Sequence, residues 1–162
     1  MAETTVSKTE QEDQRLDKKV RVKSIAPWLT GARRQTTTGD ISIPARGSVL
    51  LTREEVIAQG QNGNKLLTGI DGQGGHATWY VDDAFTRQEL GFDDGTRKQT
   101  VLTEDTIKKL FDLKTQKAFE DNITKNVKTR AEKAFLMNAI QTLGLNDFTK
   151  IAFCIKYTGI NI

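Results

Sequence analysis

His76 and Cys154 are the only histidine and the only cysteine of the chain, and through them it could do proton-transfer or covalent chemistry. A thiol nucleophile needs a base beside it. Here the histidine lies in a glycine-rich stretch far from Cys154 in sequence. Phe153 and Ile155 flank the thiol, so it reads as a buried structural residue. His76 has no cysteine or histidine at metal-ligand spacing, and it reads as a surface residue at the start of a strand. Gly72, Gly74 and Gly75 resemble a phosphate loop only superficially. No Lys-Ser/Thr follows them, and strand-forming residues follow where a helix N-terminus is needed. Asp71 to Asp82 has the length of a calcium loop, but its ligand positions are wrong and its last residue is an aspartate. With Asp83, Asp93 and Asp94, these carboxylates read as loop and strand-end residues. The chain is therefore expected to be no enzyme and to hold no metal and no cofactor.

What remains is surface chemistry. Arg33 and Arg34 sit in a loop with Thr36, Thr37 and Thr38 between Gly31 and Gly39. They are the best exposed basic spot, serving either as a solvated loop or as a contact on a partner. Trp28, Trp79 and Tyr80 are core aromatics or binding aromatics. Arg33, Arg34 and Trp28 are the candidate partner-binding residues. The net charge is +3, and residues 1–100 are balanced, with 14 basic and 14 acidic side chains. Residues 101–162 hold 10 basic and 7 acidic groups, interleaved as on a solvated face. A nucleic-acid footprint needs a clustered basic stripe. Lys108, Lys109, Lys114, Lys117, Lys125 and Lys128 are what such a module would use.

The elements that must position these residues fall into two parts. With 162 residues, one domain or two small ones is expected. Residues 1–19 contain only Met1, Ala2, Val6 and Leu16 as apolar groups and read as a flexible N-terminal arm. The arm either stays disordered or orders along a neighbouring subunit. Val20 to Ile25 alternates with the period of a strand, and Ile41 to Pro44 and Val49 to Leu51 read as further strands. Thr52 and Glu55 have capping-box spacing and open a helix to about Gln59. Lys65 to Ile70 and His76 to Val81 read as strands, and residues 84–92 as one helical turn with Thr86 and Glu89 at capping-box spacing. Gly91 to Lys98 reads as a polar linker. Beyond it, Thr103 caps a helix running to about residue 122. Thr129 and Glu132 form a capping box on a helix to Leu143, and Asn146 or Asp147 caps a last helix ended by Gly159. The fold class expected is α+β: a flexible arm at 1–19, a small N-terminal β barrel or sandwich at 20–95, and a C-terminal helical module at 96–162. No apolar run approaches the ~20 residues of a membrane span, and residues 1–20 lack the apolar centre of a signal peptide. A reducing cytoplasm, or something assembled there, is the expected location.

Leu143, Leu145, Asn146, Asp147 and Lys150, followed by Ile155, Tyr157, Thr158, Gly159 and Ile160, form a recognisable ending. It resembles the C-terminus of small structural proteins of tailed bacteriophages. The strand Val20 to Ile25 and the element Leu51-Thr52-Arg53-Glu54-Glu55 are similar to their N-terminal part. The resemblance implies a virion protein assembled in the host cytoplasm. Its most direct form is an auxiliary or decoration protein that binds and stabilises the capsid in many copies, with the major capsid protein or other virion proteins as partners. A place at the neck or tail, in the head–tail connection, is the alternative it leaves. A basic nucleic-acid-binding module is the alternative from composition.

Overall fold

The structure is a computed structural model, and it describes residues 14–162. The alternation at its start forms β1 (Lys19–Ser24), which buries Val20, Val22 and Ser24 and exposes the lysines and arginine between them. β1 is the centre of an antiparallel sheet, between β4 (Ser48–Thr52) and β5 (Trp79–Asp82). A second antiparallel pair joins β2 (Thr30–Arg33) to β3 (Asp40–Ile43). Ile41 and Ile43 of β3 meet Val20, Val22, Leu51, Trp79 and Val81, so both sheets bury one core. β4 and β5 remain edges and do not close a barrel.

The fold class is α+β, and several local expectations change. β2 overlaps the start of the loop expected from Gly31 to Gly39; Thr-Gly-Ala-Arg has no apolar alternation to reveal it. Gly31 is needed there, because a Cβ would stand 2.9 Å from the Ile41 carbonyl oxygen. The expected strand at 65–70 is instead a short helix, α2 (Lys65–Thr68), following α1 (Arg53–Gln61). The Asn64 side chain accepts from Leu66 N and starts this helix, and Gly69 at φ 74° stops it. α3 (Ala84–Glu89) is capped by Asp83, not by the Thr86–Glu89 pair; the Thr86 hydroxyl donates to Asp83.

The expected linker is packed onto the β module. Phe92 is buried in its core, and Asp93 accepts from Arg87 Nε at 2.9 Å and from Gln99 N at 2.8 Å. The Gln99 amide accepts from Val81 N and donates to the Trp79 carbonyl, filling the outer edge of β5 as a neighbouring strand would. The chain thus leaves the module only after Gln99. The arm expected at 1–19 falls largely outside the described residues. Its described end is tied down: the Leu16 and Lys18 carbonyls accept from Glu54 N and Arg53 N at the start of α1.

The single helix expected from Thr103 to about 122 is two, α4 (Glu104–Phe111) and α5 (Gln116–Asn126), so the module has four helices. Thr115 caps α5 by accepting from Ala118 N. Lys150 Nζ donates to the Phe111 and Leu113 carbonyls freed at the end of α4. α6 (Arg130–Thr142) and α7 (Phe148–Thr158) complete the module around Ile107, Phe119, Ile123, Leu136, Met137, Ile140 and Cys154. Gly144 and Gly159 adopt positive φ where these helices end. A small third cluster, Ile25 and Ala26 against Ala131 and Phe135, joins the two modules. Among the described residues no helix is long and apolar enough to cross a membrane.

Candidate binding groove

The residues that could do chemistry are occupied within the fold. Cys154 is fully buried in the helical core, and burial raises its thiol to about 12. A thiol so placed carries almost no thiolate at neutral pH. His76 belongs to the module junction, and its Nδ1 meets both carboxylate oxygens of Glu132, at 2.9 and 3.0 Å. The expectation of a surface histidine at a strand start is corrected: the residue is half-buried, precedes β5, and holds φ 57°. A non-glycine residue at that φ costs conformational energy, so the surrounding loop must impose it.

That loop is built tightly. Asp71 Oδ1 accepts from Gln73 N at 2.8 Å and Gly75 N at 2.9 Å. Partial burial would raise the Asp71 carboxyl, but these N–H groups, with nearby Arg97, hold it below its ordinary value. Ile70 N donates to Gly75 O, and Gly74 N to Thr68 O. At Gly69 any Cβ would come within 2.0 Å of the Gly75 carbonyl oxygen. The acidic residue read as a poor calcium ligand is therefore the staple of the loop that presents His76.

Glu132 is 3% exposed and receives more than the histidine. The capping box expected at Thr129 forms in full: Thr129 Oγ1 accepts from Glu132 N, and Glu132 Oε1 accepts from Thr129 N and Lys128 N. One carboxylate thus closes the first turn of α6 and holds the β module against it.

Beside this clasp runs a groove of about 610 Å³ between the modules. Trp28, Leu66 and Ile70 supply its apolar surface, and His76, Thr129, Arg130 and Ala131 its other wall. Ile70 is 61% exposed and Trp28 37%. Leu29 next to Trp28 is exposed as well. The Arg130 guanidinium lies over the Trp28 ring, 5.4 Å from its centroid. Of the three aromatics, Trp79 is core, donating its indole N–H to Thr30 Oγ1 at 2.8 Å. Tyr80 is half-buried under Arg87, and only Trp28 faces outward. Arg33 and Arg34 lie at the far end of β2 from Trp28 and do not line the groove.

The loop after Arg34 is shaped by Glu55, which the Thr52–Glu55 capping box was expected to turn back to Thr52 N. The Thr52 half forms, accepting from Glu55 N. The carboxylate instead takes Gln35 N, Thr36 N, the Thr36 hydroxyl and the Gln59 amide. Burial alone would raise this carboxyl; those donors outweigh burial and hold it below its ordinary 4.5. At Asp83, burial likewise pushes up while Arg53 and Thr86 pull below 3.8. A carboxylate depressed in the folded state stabilises it above the unfolded value, and the gain is lost as pH falls through the folded one. Urea midpoints should accordingly drop as pH is lowered below about 4.5. Glu55→Gln should remove part of that drop, and an unchanged acid slope in the variant would contradict this account.

Other surface features are less organised. Lys108, Lys109, Lys114, Lys117, Lys125 and Lys128 are exposed, and Lys109 pairs with Asp105 at 3.3 Å. Phe148, 88% exposed, stands alone at the start of α7. Among the described residues no group of acidic, histidine or cysteine side chains is arranged to hold a metal. No protein-family model, no curated protein and no solved structure matches the chain.

Proposed function

We propose that this chain is a binding component of a particle, an auxiliary protein that attaches to and reinforces a tailed-phage capsid. The observation that carries the binding part is the groove: Trp28 and Ile70 expose large apolar surface at the seam of two modules, where folding alone would favour burying it. Exposed apolar surface grouped in a concavity and rimmed by polar groups marks interaction sites. Support for the particle part comes from the resemblance of Leu143 to Ile160 and Leu51 to Glu55 to phage structural proteins. The internal use of His76 by Glu132 and the deep burial of Cys154 fit a role without turnover. In a shell, many copies multiply a modest interface into firm attachment.

Quantitative mass spectrometry of purified virions from a culture producing the chain should find it in many copies per particle. Its absence from the particles would overturn the particle reading. Purified protein mixed with those shells should co-sediment at a saturating ratio, and Ile70→Arg should weaken attachment by roughly ten-fold or more. Attachment unaffected by Ile70→Arg would remove the groove as the contact surface.

A further inference from the structure

The groove has a charge pattern that specifies more than apolar contact. Its lining holds two cations, Lys65 and Arg130, and no aspartate or glutamate. Both are exposed, and neither has an acidic partner among the described residues. The Glu132 carboxylate at the module junction is already committed to His76, Lys128 N and Thr129 N. Arg130 is held over the Trp28 ring, which helps to order the guanidinium while leaving its N–H donors without an acidic partner. The N-terminus of α6 lines the same wall through Thr129, Arg130 and Ala131. The backbone N–H groups of Arg130 and Ala131 have no acceptor among the described residues. The main chain of the opposite wall, by contrast, is already used: Gly69 N, Ile70 N and Thr78 N donate within the fold. An incoming segment finds no donor in those three groups, and side chains are the open contacts of that wall.

We infer that the groove takes an apolar peptide segment of a partner protein that carries a carboxylate, the apolar side chains lying on Trp28, Leu66 and Ile70 and the carboxylate between Lys65 and Arg130. This rests on the reading of the groove as the partner surface and adds the chemistry of the occupant. Arginine's planar fork matches a carboxylate bidentately, and an ordered guanidinium loses less freedom in making the pair.

The test selects binders of the full chain from a randomised peptide library displayed on yeast. Enriched peptides should combine Asp or Glu with Leu, Ile or Phe. Their binding should fall roughly ten-fold or more with Ile70→Arg, and likewise with the Lys65→Glu/Arg130→Glu double variant. All three positions are exposed, so circular dichroism melting should confirm that the variants fold like the parent. Enrichment of neutral or basic peptides that still lose binding to Ile70→Arg would overturn the carboxylate and leave the groove standing. No enrichment, or enriched peptides indifferent to Ile70→Arg, would overturn the groove itself.

Discussion

Replacing Arg53 with methionine should cost about 3–5 kcal/mol of folding stability, the largest loss expected from any single polar substitution in the β module. Arg53 is 2% exposed at the start of α1. Its Nε and Nη2 meet the two oxygens of Asp83 at 3.0 and 3.1 Å, and its Nη1 donates to the Arg15 carbonyl. The guanidinium also lies 4.6 Å from the Phe85 ring centroid. Removing it leaves the Asp83 carboxylate, itself mostly buried, without its counter-charge. The same carboxylate caps α3, so the loss reaches the seat of that helix as well. Urea titration of both proteins at neutral pH measures the difference. The double variant Arg53→Met/Asp83→Leu should recover part of it, because an apolar pair strands no charge. A single-variant loss below about 1 kcal/mol would place the pair with exposed ion pairs and contradict its burial.

Glu132→Ala should cost about 2–4 kcal/mol, and its effect should appear on both sides of the module junction. The truncation leaves Lys128 N and Thr129 N without their acceptor, and it takes from His76 the partner that holds its loop. Hydrogen exchange should accelerate at Gly75 in the β module as well as at Lys128 and Thr129 before α6. Glu132→Gln keeps an oxygen for the cap and should be milder. Acceleration confined to Lys128 and Thr129 would mean that the clasp to His76 carries no energy. Since His76 and Ala131 both line the groove, the alanine variant should also weaken peptides selected on the parent protein.

Neither effect could be read from residue order alone. The capping box at Thr129 and Glu132 was legible, because its spacing is local and its chemistry involves only neighbours in the chain. That the same carboxylate also reaches His76, 56 residues away, was not. Trp28 stood out as an aromatic beside an expected loop. Lys65, Ile70 and Arg130 did not, because they come from separate segments and none belongs to a motif. Arg33 and Arg34 drew attention as a charged pair, yet β2 carries them away from Trp28. The helix expected from Thr103 to about 122 shows how far a pattern reaches. Both halves are helical and bury Ile107, Leu110, Phe119 and Ile123, but Lys150, from another helix, takes up the carbonyls that let the chain turn at Phe111 and Leu113.

Local order therefore set what local forces govern: the alternation of β1, the caps at Thr52, Thr103 and Thr129, the glycine stops at Gly144 and Gly159, and through them the α+β class. Backbone hydrogen bonds and apolar periodicity act over a few residues, so they are written in a few residues. The buried Arg53–Asp83 pair and the docking of residues 91–99 onto β5 arose only when the β module packed, and the groove and the Glu132 clasp only when the two modules met. Each depends on groups whose meeting is fixed by the burial of three separate apolar clusters, and no segment read by itself contains that information.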